Sequence, residues 1–179
     1  MNMIDMNNHT APAPLVISNP EVNHNLFTSS DIYFETVSDA HRKHPNNTIH
    51  LPQRGTAHAM AYDFYSPETF VLAPGESHMV WTDVKAHMPN FVGLILNVRS
   101  SMGKYHVSLA NTQGWIDADY CGNPNNDGNI GIMLVNNGYR DFHVEEGDRI
   151  AQGAFIPFFV GCDLPVSLER KGGFGSTGK

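Results

Sequence analysis

The chain of 179 residues carries 11 Lys and Arg against 18 Asp and Glu, a formal charge of −7 at neutral pH. That balance excludes a general nucleic-acid binder, which needs clustered Lys and Arg against backbone phosphates, while 41% hydrophobic residues over this length predict one domain with a substantial core. No apolar run approaches the roughly 20 residues of a membrane span, and two cysteines, Cys121 and Cys162, allow at most one bridge and no zinc framework, which fits a reducing cytoplasm.

Residues 1–30, rich in Asn and Pro, read as a partly disordered extension. Their start, Met1-Asn2-Met3-Ile4-Asp5, lacks the basic residues and apolar stretch of a secretory signal. A β-type domain is expected over 31–163. Strands are predicted at 32–37, 69–72, 77–84, 91–98, 107–109, 130–135, 142–144 and 150–160, punctuated by Pro74-Gly75, Asn137-Gly138 and Glu146-Gly147. Short strands at this spacing predict an all-β sandwich or barrel. After the first strand, His41-Arg42-Lys43-His44 has no zinc-ligand spacing and reads as a solvated loop. From 164 to 179 the chain is too polar and Gly-rich for a core of its own and reads as an arm that orders on ligand.

Chemistry concentrates in two stretches. Gly114-Trp115-Ile116-Asp117-Ala118-Asp119-Tyr120 sets a carboxylate beside an aromatic ring, a pairing suited to activating water next to a sugar. Gly172-Gly173-Phe174-Gly175-Ser176-Thr177-Gly178 offers backbone N–H groups that can cradle phosphate oxygens. Together they point to nucleoside triphosphate hydrolysis.

Five blocks stand in order: Ala59-Met60-Ala61-Tyr62-Asp63-Phe64-Tyr65, Arg99-Ser100-Ser101-Met102-Gly103, Gly114 to Tyr120, Gly147-Asp148-Arg149-Ile150-Ala151-Gln152, and Arg170 to Gly178. Any one alone is a weak signal, but five in register are not. The chain resembles the trimeric dUTP diphosphatase (deoxyuridine triphosphatase) family, and in particular its branch in Gram-positive bacteria and their phages. The resemblance implies a jelly-roll β-barrel, a homotrimer, Mg2+ as cofactor, dUTP as substrate, and neither nucleic acid nor membrane as partner.

It also implies roles. Asp117 resembles the family carboxylate that orients and deprotonates the attacking water, and Tyr120 the ring that packs on deoxyribose and rejects a 2′-hydroxyl. The segment from Leu109 to Gly114 resembles the uracil-binding hairpin, with Asn111 either contacting the base or holding the turn, and Ile116 beside it. Ser100 resembles the serine that donates to the oxygen bridging the α- and β-phosphates; Arg99, Ser101 and Gly103 complete that block. Gln152 matches a phosphate-contacting amide, with Asp148 and Arg149 serving scaffold and interface. Asp63 matches the aspartate that holds the magnesium complex through water. In the arm, Phe174 resembles the aromatic that closes over uracil, and Gly175, Ser176 and Thr177 fold over the triphosphate. By analogy each site draws on three subunits, the arm reaching a neighbouring site.

There are departures. Only Lys171 separates Arg170 from the Gly-Gly-Phe-Gly run, where the family usually has two residues, so the γ-phosphate clamp is Arg170, Lys171 or both. Residues 121–128 insert a polar loop after Tyr120, expected on the surface, and Ala61 stands where Gly is usual. Asp119 receives no role. Two other readings compete: a deoxycytidine triphosphate deaminase of the same superfamily, and a trimeric protein whose main task is to bind a regulatory protein partner, with nucleotide as the switch.

Overall fold

In the computed structural model, which describes residues 31–161, 170 and 172–173, the chain runs as short antiparallel strands. They are β1 (Tyr33–Thr36), β2 (Gln53–Arg54), β3 (Tyr62–Tyr65), β4 (Phe70–Leu72), β5 (Ser77–Trp81), β6 (Val84–His87) and β7 (Val92–Asn97). After one helical turn, α1 (Ser100–Gly103), come β8 (Val107–Leu109), β9 (Gly114–Ile116), β10 (Gly131–Asn136), β11 (Phe142–Val144) and β12 (Arg149–Pro157). The strands pair as β1-β6, β5-β10-β8, β11-β4 and β2-β3-β12-β7-β9. The fold is an all-β jelly roll, as expected, and no helix among the described residues is long and apolar enough to cross a membrane.

Period-two alternation builds the core. In β7 Val92, Leu94 and Leu96 turn inward while their neighbours are half-buried, and in β10 Ile132, Leu134 and Asn136 do the same. Leu94, Leu96, Ile132 and Leu134 meet Phe64, Leu72, Val80, Met102 and Ile150 in one apolar cluster. Asn136, fully buried, keeps its polar atoms satisfied: its amide donates to the Leu72 and Arg140 carbonyls at 2.7 and 2.8 Å, and its oxygen accepts from Gly138 N–H.

The predicted strand over 77–84 is two strands, β5 and β6, because the chain turns at Thr82 and Asp83. Asp83 takes a left-handed backbone conformation at φ 55°, and its fully buried carboxylate accepts from Lys43 N–H, His44 N–H and the Asn129 amide at 2.7–3.0 Å. The same carboxylate corrects the reading of residues 41–44. That loop is bound at two backbone amides by a buried anion, with His41, Arg42 and His44 only partly exposed. Strands β2, β3 and β9 are unpredicted, being short and, in β3, two consecutive residues deep in the interior.

The insert after Tyr120 also departs from its expected surface position. Asn123 and Gly128 are buried, and Asn129, just after the insert, is fully buried. Asp127 fastens the loop to the rest of the barrel: its carboxylate accepts from Ser38 N–H at 2.8 Å and from the Lys85 ammonium at 3.1 Å. Burial alone would push Asp127 up, but the Ser38 and Lys85 bonds outweigh it and hold the carboxyl below its ordinary value. A depressed folded pKa contributes stability that is complete above the unfolded value of about 4 and is lost as pH falls through the lower folded value. Asp127→Asn, which still suits the left-handed φ of 57°, is therefore expected to cost roughly 1–3 kcal/mol at pH 7. Urea unfolding should show that difference narrowing steadily below pH 4.

Candidate active site

Two cavities contain the residues singled out above. The first, about 170 Å³, is floored by β7, β8 and β10 and rimmed by Asn111, Gly114, Trp115, Ile116, Asp117, Tyr120, Arg170 and Gly173. Its hairpin, between β8 and β9, is closed by Thr112 N–H to the Leu109 carbonyl at 3.1 Å and Gln113 N–H to the Asn111 carbonyl at 2.7 Å, with Thr112 at φ 67°. Gly114 gives room where β9 pairs with β7, since a Cβ there would stand 3.1 Å from Leu96 Cβ and press that side chain aside by a few tenths of an ångström.

Asp117 precedes a 3-10 turn over Ala118–Tyr120 in an extended conformation that leaves its side chain 59% exposed at the cavity mouth. Tyr120 points the other way, 5% exposed, and forms part of the cavity wall. The ring is thus at once a core side chain and a site side chain, so the two roles are not alternatives.

Arg170 lies across the carboxylates. Its guanidinium donates to Asp117 and, at 2.6 Å through Nε, to Asp119, and its carbon stands 5.9 Å above the Tyr120 ring centroid. Gly173 lies against the same ring, where a Cβ would come within 2.8 Å of Cε2. Of the described arm residues, Arg170 and Gly173 line this cavity. Lys171, Phe174, Gly175, Ser176 and Thr177 lie outside the described residues.

The second cavity is also about 170 Å³ and is lined by Arg99, Ser101, Met102, Tyr105, Phe142, Val144, Asp148, Arg149 and Ile150. Arg99 precedes α1, where Met102 N–H donates to its carbonyl at 3.0 Å, and Ser100 and Gly103 are exposed on that turn. Register brings Gln152 of β12 between Asp63 of β3 and Asn97 of β7, and the Gln152 amide donates to the Val98 carbonyl at 3.4 Å. Asp63, nearly buried, accepts from Arg99 Nε at 2.8 Å and from Arg149 at 3.4 Å.

The role expected for Asp63 is a hold on magnesium through water rather than direct ligation. Both of its oxygens face guanidinium groups, and no cluster of three His, Cys, Asp or Glu suited to a metal occurs among the described residues. The donor set does not fit a resident Mg2+. Asp63 pairs with two cations, Arg99 and Arg149, that line the second cavity.

The two cavities are reached along β7: Leu96 of the strand lines the first, and Arg99, just after it, lines the second. Ile116 pairs with Leu94, while Arg99 follows the end of the strand. Asp117 lines the first cavity, while Arg99 and Ser101, on either side of Ser100, line the second. Sequence reasoning missed Asn126 and Asn129, which hold the Tyr120 hydroxyl at 2.7 and 2.8 Å. The run of asparagines in the insert is the only trace they leave.

Residues 47–178 match the model of the dUTPase family. The chain is 39% identical over 148 residues to the deoxyuridine 5'-triphosphate nucleotidohydrolase of Lactococcus lactis, covering 81% of this chain and 96% of that protein. It is 36% identical over 135 residues to that of Clostridium tetani, covering 72% and 89%. The crystal structure of the Streptococcus mutans dUTPase superposes with a TM-score of 0.64 at 36% identity, over 73% of this chain and 99% of that one. The matched region takes in all five blocks and both cavities: the chain belongs to the dUTPase family.

Proposed function

We propose that the protein hydrolyses dUTP to dUMP and pyrophosphate at sites composed from several subunits of a homotrimer. The observation that carries this reading is Asp117 at the mouth of a cavity walled by Tyr120 and the 109–114 hairpin. The names of the Lactococcus and Clostridium relatives support the substrate.

The hairpin offers backbone groups and the Asn111 amide to uracil. Cytosine exchanges donor and acceptor at two ring positions, and each mismatch in a dry cavity costs roughly 1–3 kcal/mol. Tyr120 covers the deoxyribose, where a 2′-hydroxyl would meet the ring. Asp117 accepts a proton from water, whose oxygen bonds to the α-phosphorus in line with the departing bridge oxygen. The P–O bond to the β-phosphate breaks, and its electron pair leaves on pyrophosphate. Ser100 donates to that oxygen from a second subunit, while Arg99, Arg149 and Gln152 offset the growing charge, with Ser101 and the Gly103 N–H alongside.

Arg170 holds Asp117 and Asp119 until a triphosphate competes for its guanidinium. Transfer of Arg170 to the γ-phosphate, with Lys171 beside it, frees the Asp117 carboxylate to take the water proton. Phe174 to Thr177 complete the cover. Magnesium enters as part of the substrate, a magnesium triphosphate, rather than as a resident ion. Removal of dUTP limits uracil incorporation into DNA and supplies dUMP for thymidylate synthesis in the cytoplasm.

Incubation of the purified protein with dUTP, dCTP and UTP plus magnesium tests this directly. Pyrophosphate and dUMP are expected from dUTP alone. Ammonia from dCTP would replace the reading with deamination, and binding of nucleotide without products would replace it with a switchable binding protein.

A further inference from the structure

Tyr120 ends in a hydroxyl that lies inside the protein, and its two hydrogen bonds are supplied by the polar insert and by the residue that follows it. The hydroxyl donates to the Asn129 carbonyl at 2.8 Å and accepts from the Asn126 side-chain amide at 2.7 Å. Asn126 is itself held: its oxygen accepts from the Asn123 amide at 2.6 Å and from Gly128 N–H at 3.1 Å. Asn123 closes the circuit by donating to the Tyr120 carbonyl at 2.8 Å. The turn that permits this needs Gly128, at φ 84°, because a Cβ there would stand 2.8 Å from Cys121 Cα and 2.9 Å from the Tyr120 carbonyl oxygen. Burial raises the pKa of the phenol, only partly offset by the Asn126 bond and the Arg170 charge, so it stays a neutral donor.

A free tyrosine ring can slide and tilt about its side-chain torsions. One fixed at both its Cβ and its hydroxyl cannot. That matters for a wall asked to reject a single oxygen atom, since a ring that yields by a fraction of an ångström admits the larger sugar. A loop that serves only as surface decoration has no need of one half-buried amide bonded to the hydroxyl of a cavity side chain and a second, buried amide bonded to the carbonyl of the same residue.

We propose that Asn126 is a positioning residue for sugar selection: it locks the Tyr120 ring against the pentose and thereby sets the preference for deoxyribonucleotide over ribonucleotide. This rests on the reading of the cavity as the dUTP sugar site. Asn126 touches no substrate atom; it acts through Tyr120.

The test is the ratio of kcat/KM for dUTP to that for UTP in the wild type, Asn126→Ala, Asn126→Asp, Tyr120→Phe and the Asn126→Ala/Tyr120→Phe pair. Both Asn126 variants should lower the ratio about tenfold, within the range reached by steric selection, with KM for dUTP rising while kcat changes less than about threefold. Tyr120→Phe should lower it by a similar factor, and adding Asn126→Ala should lower it little further, because both changes remove the same bond. A folded Asn126→Ala with the wild-type ratio, or losses that multiply in the pair, would overturn the proposal. Should neither Asn126 variant fold, by circular dichroism, Tyr120→Phe decides: an unchanged ratio overturns the proposal and a lowered one supports it. A wild type that cleaves UTP as readily as dUTP would instead remove the functional reading on which the proposal rests.

Discussion

Asp117→Asn is expected to lower kcat on dUTP by roughly three orders of magnitude, within the range that a positioned general base contributes. The amide fills the same space at the cavity mouth but has no proton affinity to draw on, so water arrives neutral at phosphorus. Stability should change by less than about 0.5 kcal/mol, the usual effect of a surface substitution, because the Asp117 side chain is 59% exposed and its partner Arg170 keeps Asp119 as a second acceptor. Loss of the pair with Arg170 releases the arm more readily, so KM should fall or stay level rather than rise. Pyrophosphate release at saturating dUTP and thermal unfolding of the same sample separate these effects. Turnover within threefold of wild type would mean that another group takes the proton.

The features legible in the sequence were those with a local chemical signature. Alternation in β7 and β10 announced their inward faces, since one face of each meets the core and the other does not. Val107–Leu109 and Phe142–Val144 coincide with their predicted bounds for the same reason. The break at Asp83 was hidden, because what stabilises it is a set of amides 40 and 46 residues away in sequence. In β9 an exposed Trp115 between Gly114 and Ile116 gives no alternation to read.

The same division holds at the site. Asn111, Gly114, Asp117 and Tyr120 lie within ten residues of one another and meet on one cavity, as local sequence proposes. The engagement of Asp63 by Arg99 and Arg149 spans 36 and 86 residues and depends on the register of β3 against β12, which no spacing rule carries. The polar insert was misjudged because asparagine favours turns and interior hydrogen bonding alike. Only the fold shows that the Asn123 and Asn126 amides turn toward Tyr120.

Coexpression of Asp117→Asn and Ser100→Ala chains should restore activity that neither has alone. Each variant by itself is expected to retain at most about 1% of wild-type turnover, one lacking the base and the other a donor to the leaving oxygen. Within a chain Asp117 lines the first cavity, while Arg99 and Ser101, on either side of Ser100, line the second. On the proposed reading a working site takes its carboxylate from one chain and its serine from another, which a heterologous interface closed into a threefold ring provides. In trimers assembled at random from equal amounts of the two variants, each site receives an intact carboxylate half of the time and an intact serine half of the time. The expected recovery is about a quarter of the wild-type rate, proportional to mixed assembly across that interface. The mixture should elute as a trimer, and its activity should rise and fall with the expression ratio, peaking at equality. A mixture no more active than its parents would place carboxylate and serine in the same chain at each site. Both the composite site and the division of labour between the two cavities would then fall together.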